Sequence, residues 1–389
     1  MIKISELEAK DRKDIEDRWQ QWFDESQLKG IDQEATRKKA FEGIPDIEAR
    51  LADAGITIEE LESSVTGSPN AILNPMIGHI LEAMTTKLPE VSKMLDSIPI
   101  LVLPTLKYEA FGNRLMSGLP YIGMSMMMLL YPSLVAKLMN DAAAAALEKD
   151  QVKLFEAMNG LTLQSWHLNS GNHELSGYLA LRTKLDPESD KAVFQIAMSM
   201  IAFVVLHELA HIKLGLQPTN DKAKIHLQEF EADDQATQWW VALFSPREHW
   251  DHPALGISSL FQFFAMTDDL YGSNPERYPT WGERYARVRS RLSLFDIPEQ
   301  FLVFAEGLYA VAGDRARRTT LVARDNDGTL QTYANPKATM DIVNALTLGF
   351  GEMIILIIGP DGTLHEKIID AEAIEAHQKS KTRPARLRH

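Results

Sequence analysis

Hydrophobic and polar positions follow three patterns along the chain. Over the first 65 residues, apolar positions recur at helical spacing among charges: Ile15, Trp19 and Phe23 form one stripe, widened by Trp22. Gly43-Ile44-Pro45 and Gly55 punctuate further short helices, and Thr57-Ile58-Glu59-Glu60 has the form of a capping box. Amphipathic helices of this type serve packing first, so the region reads as a layer against the main domain rather than a recognition module. Residues 70–100 continue as helix around Ile77, Ile80, Leu81 and Met84, with His79 an ordinary surface histidine. Ile98–Leu103 is a short strand ended by Pro104.

The second pattern is a pair of long uncharged runs. Leu115–Ala136 meets a crude length test for a membrane span. Pro120 and Pro132 interrupt it, however, and Arg114 and Lys137 bracket it closely. Gly118–Ser125 reads better as a strand, and Leu134–Leu147 as a helix. Ala192–Leu206 is shorter than the roughly 20 residues a span needs. It reads as the apolar half of a core helix that starts at Asp186-Pro187-Glu188-Ser189 and stops at Gly215. The third pattern is alternation. Thr319–Tyr333 and Met353–Ile369 each read as strand, Asp-Gly turn and strand. The expected fold class is α+β, mainly helical. The expected domains are an N-terminal helical region 1–95, a main domain 96–312, a small α+β region 313–375 and a disordered basic tail 376–389.

Composition narrows the function classes. Hydrophobic content of 45% and charged content of 24% are ordinary for a globular chain of 389 residues. A net charge of −14 builds no broad basic face, which argues against nucleic acid as a partner. With no cysteines, disulfides, thiolate metal sites and a cysteine nucleophile are all excluded. The charged N-terminus lacks the apolar segment of a secretory signal, so the cytoplasm is the expected compartment.

The chemistry lies in the turn that ends the second apolar run, His207-Glu208-Leu209-Ala210-His211. Residues i and i+4 share one helix face, so both imidazoles can reach one metal ion, with Glu208 placed to act on a metal-bound water. A third ligand is due downstream. Glu229, on the next expected helix, completes a His, His, Glu set that leaves the fourth position for water. Asp233, four residues on, is placed to accept a hydrogen bond from a ligand histidine.

His207-Glu208-x-x-His211 followed by Glu229-x-x-Ala232-Asp233 resembles the gluzincin metallopeptidases. The resemblance includes the soluble phage-exclusion Lit-type peptidases and, more distantly, the ImmA/IrrE and HtpX-like families. It implies a zincin-like core, one Zn2+ per chain, a protein or peptide substrate and no membrane. It also implies the third ligand at Glu229 rather than Glu231. Tyr278-Pro279-Thr280-x-x-x-Arg284 is similar to a segment of the HtpX-like group whose arginine lies near the substrate, although Tyr278 stands where that group has histidine. Tyr278 and Arg284 are therefore candidates to stabilise the oxyanion. The zincin fold lays a strand over its active-site helix, and the edge of that strand pairs with substrate. Tyr121, Ile122, Gly123, Met124 and Ser125 are the candidate strand. Within the arginine-rich stretch Glu283–Leu294, the plainer reading is a solvated basic face. His167, His173, His249 and His252 read as loop or surface histidines. Two other functions stay open: a membrane-associated HtpX-like quality-control protease and a non-catalytic zinc-stabilised binding module.

Overall fold

The computed structural model describes residues 7–25, 75–103, 108–125, 127–170, 187–216, 219–245, 250–271, 278–295, 297–317, 319–324, 330–333, 352–358 and 364–370. The remaining stretches expected to be helical before residue 74, the turns of both Asp-Gly hairpins, His173, His249 and the C-terminal tail lie outside these residues. The described part is mainly helical α+β.

A sheet of three short strands organises the larger unit. Strand β1 (Ile100–Leu103) runs parallel to β3 (Pro120–Ser125), and β2 (Ala110–Arg114) is antiparallel to β3, giving the order β1-β3-β2. Alternation then decides what each face meets. On one face Leu101, Leu103 and Tyr121 form a buried cluster with Leu7 and with Ile15 of helix α1 (Ala9–Glu25), and Phe111 packs against it. Ile15 of the stripe read from the sequence is thus buried against the sheet, and Trp19 is half-buried.

Helix α1 also satisfies the tight turn between β2 and β3. Asp14 accepts from the Met116 amide at 3.0 Å and Asp11 from the Ser117 amide at 3.1 Å. Arg18 donates to the Tyr121 hydroxyl at 3.2 Å. The turn carries Gly118 at φ +89°, a backbone conformation that favours glycine.

The other face of the sheet meets helices. Helix α2 (Pro75–Lys87) buries Ile77, Ile80, Leu81 and Met84, the four positions marked by periodicity, and leaves His79 exposed. Helix α3 (Pro89–Leu95) follows it, and α4 (Met127–Glu148) and α5 (Gln151–Ser170) form a hairpin. The central element is α6 (Pro187–Lys213), which packs against α2, α4, β2 and β3 and against α7 (Lys222–Phe244). From Met200 to Ala210 every residue of α6 is buried. Each fully buried Leu, Ile or Phe in that run contributes about 1.5–3 kcal/mol before entropy is counted. Gly215, at φ +63°, ends the helix as expected. Asp221 caps α7 through the amides of Ala223 and Lys224. Helix α8 (Asp251–Tyr271), α9 (Trp281–Leu292) and α10 (Glu299–Arg317) follow. Thr280 and Glu283 form a reciprocal capping box at the start of α9.

One expectation holds and one is overturned. The uncharged run Leu115–Ala136 is not one element: it is divided between β3 and the first turns of α4, so it supplies no continuous helical span. Among the described residues, one helix is long and apolar enough to cross a membrane, Lys191–Lys213, and 72% of its apolar window is buried inside the protein. Tyr121–Ser125 does form a strand, but β3 is the central one, with both hydrogen-bonding sides taken by β1 and β2. A strand paired on both sides cannot accept a third partner, so it cannot be the substrate strand. The edge that lies over α6 belongs to β2.

The chain divides into two compact units, one of Met1–Ala265 with Asn274–Glu306, the other of Met266–Ser273 with Gly307–His389. The second unit contains β4 (Thr319–Arg324), β5 (Leu330–Tyr333), β6 (Glu352–Ile358) and β7 (Leu364–Asp370) in the order β5-β4-β6-β7. Each expected hairpin forms an antiparallel pair, and the two pairs join through a parallel β4-β6 ladder.

The crossing of α6 and α8 is tight enough to test. A Cβ on Gly256 would lie 2.5 Å from the Ile196 carbonyl and 2.7 Å from Ser199, whose hydroxyl donates to the Pro253 carbonyl. Gly256→Ala is expected to lower the denaturant midpoint with an unchanged slope, a loss of about 1–3 kcal/mol. Gly78→Ala on α2, where a Cβ meets nothing within 4 Å, is expected to keep or gain stability.

Candidate functional site

Helices α6 and α7 bring three donors to one point. His207 Nε2 and His211 Nε2 lie 3.0 Å apart. Glu229 approaches them with one oxygen 3.4 Å from His207 Nε2 and the other 3.5 Å from His211 Nε2. These three residues are the one group of metal-binding geometry among the described residues. In a tetrahedral site with metal–ligand bonds of about 2.0–2.1 Å, donors stand roughly 3.3–3.5 Å apart; the two contacts of Glu229 match that spacing and the two Nε2 atoms are closer. The i, i+4 spacing places the two rings edge to face, with centroids 4.6 Å apart. One turn earlier Phe203 lies nearly parallel to the His207 ring at 6.5 Å.

The tautomer of His207 follows from its partner. Asp233 Oδ1 is 2.9 Å from His207 Nδ1, so that nitrogen donates, and in the neutral ring Nε2 carries the lone pair toward the donor group. Asp233 is fully buried. It sits one helical turn beyond Glu229, on the same face of α7.

Arg284 of α9 closes the site from behind. Its Nε and Nη2 form a two-pronged bond to Asp233 at 2.8 and 2.7 Å, and its Nη1 lies 3.2 Å from Glu229. The guanidinium rests 4.5 Å above the Trp281 ring. The resemblance put Arg284 beside substrate. The structure instead gives its fork to two carboxylates on α7. Glu208 is buried and receives a hydrogen bond from the Gly112 amide of β2. A Cβ at Gly112 would be only 3.8 Å from the Glu208 carbonyl and 3.5 Å from Ile212, so the strand runs directly over the helix here.

Burial and pairing displace most of these groups from their ordinary titration ranges. Burial and the charge of Arg284 push His207 down, but Asp233 and Glu229 outweigh them and carry it up to about 9. Burial, then the charge of His207, pushes His211 down to about 4. Burial works to raise Glu229, yet His207 and Arg284 hold it well below the usual carboxylate range. Asp233 is lowered in the same way, burial opposing and Arg284 and His207 prevailing. Glu208 alone among the acids is raised, by burial, against the pull of His207 and Arg284.

The expected residues therefore divide. His207, His211, Glu229 and Asp233 converge, and Glu208 lies beside them. Tyr278 is 48% exposed, two residues ahead of the Thr280 cap, so any role it has is played at a solvent-facing position. The arginines of α9 are not a free basic face. Arg287 and Arg291 both grip Asp234, and Arg289 pairs with Glu299 and Glu306. His252 is a helix residue whose Nδ1 lies 2.8 Å from Gln195, not a loop histidine. The sequence reading missed Gly112 and Trp281 as parts of the site. Trp281 stands at i−3 from Arg284, a spacing that marks a shared face. Nothing local marks Gly112.

These contacts draw on β2, α6, α7 and α9. A family model described as Peptidase U49 matches residues 116–303. That span contains the donor set, Glu208, Asp233 and Arg284, and it supports a peptidase. No curated protein and no solved structure matches the chain.

The two histidines make the metal-free protein sensitive to pH in opposite senses. His207, raised when folded, contributes stability that is fully present below about 6.5 and lost as pH rises through about 9. His211, lowered when folded, contributes stability present above about 6.5 and lost as pH falls through about 4. In chelator, the melting temperature is expected to peak near pH 6.5, and the alkaline decline is expected to flatten in His207→Gln. A decline of equal steepness in that variant would show that His207 is not its source.

Proposed function

We propose that the protein is a zinc-dependent endopeptidase. The observation that carries this reading is the convergence of His207, His211 and Glu229 at a spacing that could hold one metal ion, with Glu208 beside them. These three residues would hold the zinc, with the fourth position left for water. When bound, zinc supplies a Lewis acid for the scissile carbonyl and brings the pKa of its water toward 7.

The protein's own residues do the rest. Glu208 takes the proton of the attacking water and passes it to the leaving amine. Its burial raises its proton affinity toward the range in which a carboxylate can do both. Asp233 keeps the His207 Nδ1 proton in place, so the imidazole presents Nε2. The proposed place for substrate backbone is the edge of β2 that faces away from β3. Hydrogen bonds from Ser125 to Glu109 and from Leu115 to Leu119 set which residues of β2 pair inward. Ala110, Gly112 and Arg114 are the alternate residues, turned away from β3, with the Gly112 amide given to Glu208 and the Arg114 amide to the Asn113 side chain. An extended peptide that adds there as a further strand takes the Gly112 amide from Glu208.

A zinc-stabilised binding module is disfavoured. Such sites usually fill all four positions with protein ligands, and here three donors are grouped and a buried carboxylate follows the first. The resemblance to the Lit-type peptidases supports one specific host protein as substrate, cleaved in phage defence or a stress response. The cytoplasm remains the expected compartment.

Glu208→Gln is the decisive variant. It is expected to bind one zinc per chain and to lose turnover by a factor on the order of 100 or more. New protein N-termini are expected in bacterial cells expressing the wild type and not in cells expressing Glu208→Gln. Identical N-termini in both, or normal turnover in the variant, would sink the mechanism.

A further inference from the structure

The structure assigns Arg284 as a positioning residue for the metal-binding carboxylates, held in place by stacking on Trp281, rather than a group that touches substrate. The inference rests on the zinc reading above and specifies what that site requires of α9.

Glu208, Glu229 and Asp233 share one buried site, and two of them sit on the same face of α7 one turn apart. Carboxylates that close repel, and burial strengthens the repulsion. Arg284 is the fixed cation between them. Its Nε–Nη2 edge takes both oxygens of Asp233, and Nη1 reaches Glu229 Oε2, the oxygen that also faces His207. The two carboxylates are therefore joined through one rigid plane. Asp233 is aimed at His207 Nδ1 and Glu229 at the two Nε2 atoms. With zinc bound and Glu208 ionised, the two positive charges of the ion and the one of Arg284 balance three carboxylates.

Geometry also speaks against contact with substrate. One edge of the guanidinium is committed to Asp233, the remaining terminal nitrogen is beside Glu229, and one face is covered by the Trp281 ring at 4.5 Å. The side chain is 11% exposed. Trp281 lies at the first turn of α9, anchored by the Thr280–Glu283 capping box. A lysine could keep the charge, but it could not span Asp233 and Glu229 with a planar fork.

The test is metal binding, read separately from activity. Zinc affinity is measured by competition with a chromophoric chelator, and site geometry by the visible absorption of the cobalt(II)-substituted protein. Arg284→Met and Arg284→Lys are each expected to weaken zinc binding on the order of 10–100-fold and to alter the cobalt spectrum. Arg287→Met removes a cation from the same helix that pairs with Asp234 instead, and it is expected to bind as the wild type does. The losses in Asp233→Asn and Arg284→Met are expected to be less than additive in the double variant, because Arg284 acts partly through Asp233. If Arg284→Met does not fold, Arg284→Lys decides. Wild-type zinc affinity with a wild-type cobalt spectrum in a folded Arg284 variant overturns the assignment, and a loss of turnover in that variant would return Arg284 to the substrate. A wild-type protein that takes up neither zinc nor cobalt overturns the zinc reading itself and the inference with it.

Discussion

A buried ionic cluster is the constraint on which the rest of the larger unit depends. Three carboxylates, two imidazoles and a guanidinium lie largely out of water, between α6, α7 and α9 and beneath β2. Each is tolerable only beside its partners, because an isolated buried charge costs several kcal/mol. The helices cannot be shifted independently without separating a pair. The apolar surroundings have a matching role. Met200–Ala210 buries every residue, and Trp240 donates its indole N–H to the Ser199 carbonyl inside the same crossing. Dense packing fixes the axes of the helices and the charges fix their rotation.

This division explains what could be read in advance. His207, Glu208 and His211 follow from helix periodicity alone, since i and i+4 share a face whatever surrounds them. Asp233 follows from Glu229 by the same rule, whereas the choice of Glu229 over Glu231 rests on the resemblance to the gluzincin pattern. The role of Arg284 follows from neither, because Asp233 lies 51 residues away in sequence and only the packing of α9 on α7 joins them. Gly112 is a similar case. A glycine in a short strand has many explanations, and its approach to Glu208 depends on a sheet register that no local pattern encodes.

The choice of strand shows the same limit. Tyr121–Ser125 was legible as a strand because it is short, apolar and bounded by Gly118 and a helix start. Its place in the sheet was not. Order depends on the parallel pairing of β1 with β3, and that pairing leaves β2 at the edge. Alternation assigns faces, whereas strand order is a property of three segments together.

The clasp between α1 and the β2–β3 turn has a consequence for biosynthesis. Asp14 and the Met116 amide it accepts from are 102 residues apart, and the last contributor to the ionic cluster, Arg284, comes much later still. A ribosome therefore releases α1 long before its sheet exists, and the sheet before the helix that completes the cluster. No partial chain ending short of α9 contains the whole set of groups. The order of synthesis itself delays assembly of the reactive centre until the unit that encloses it is nearly complete.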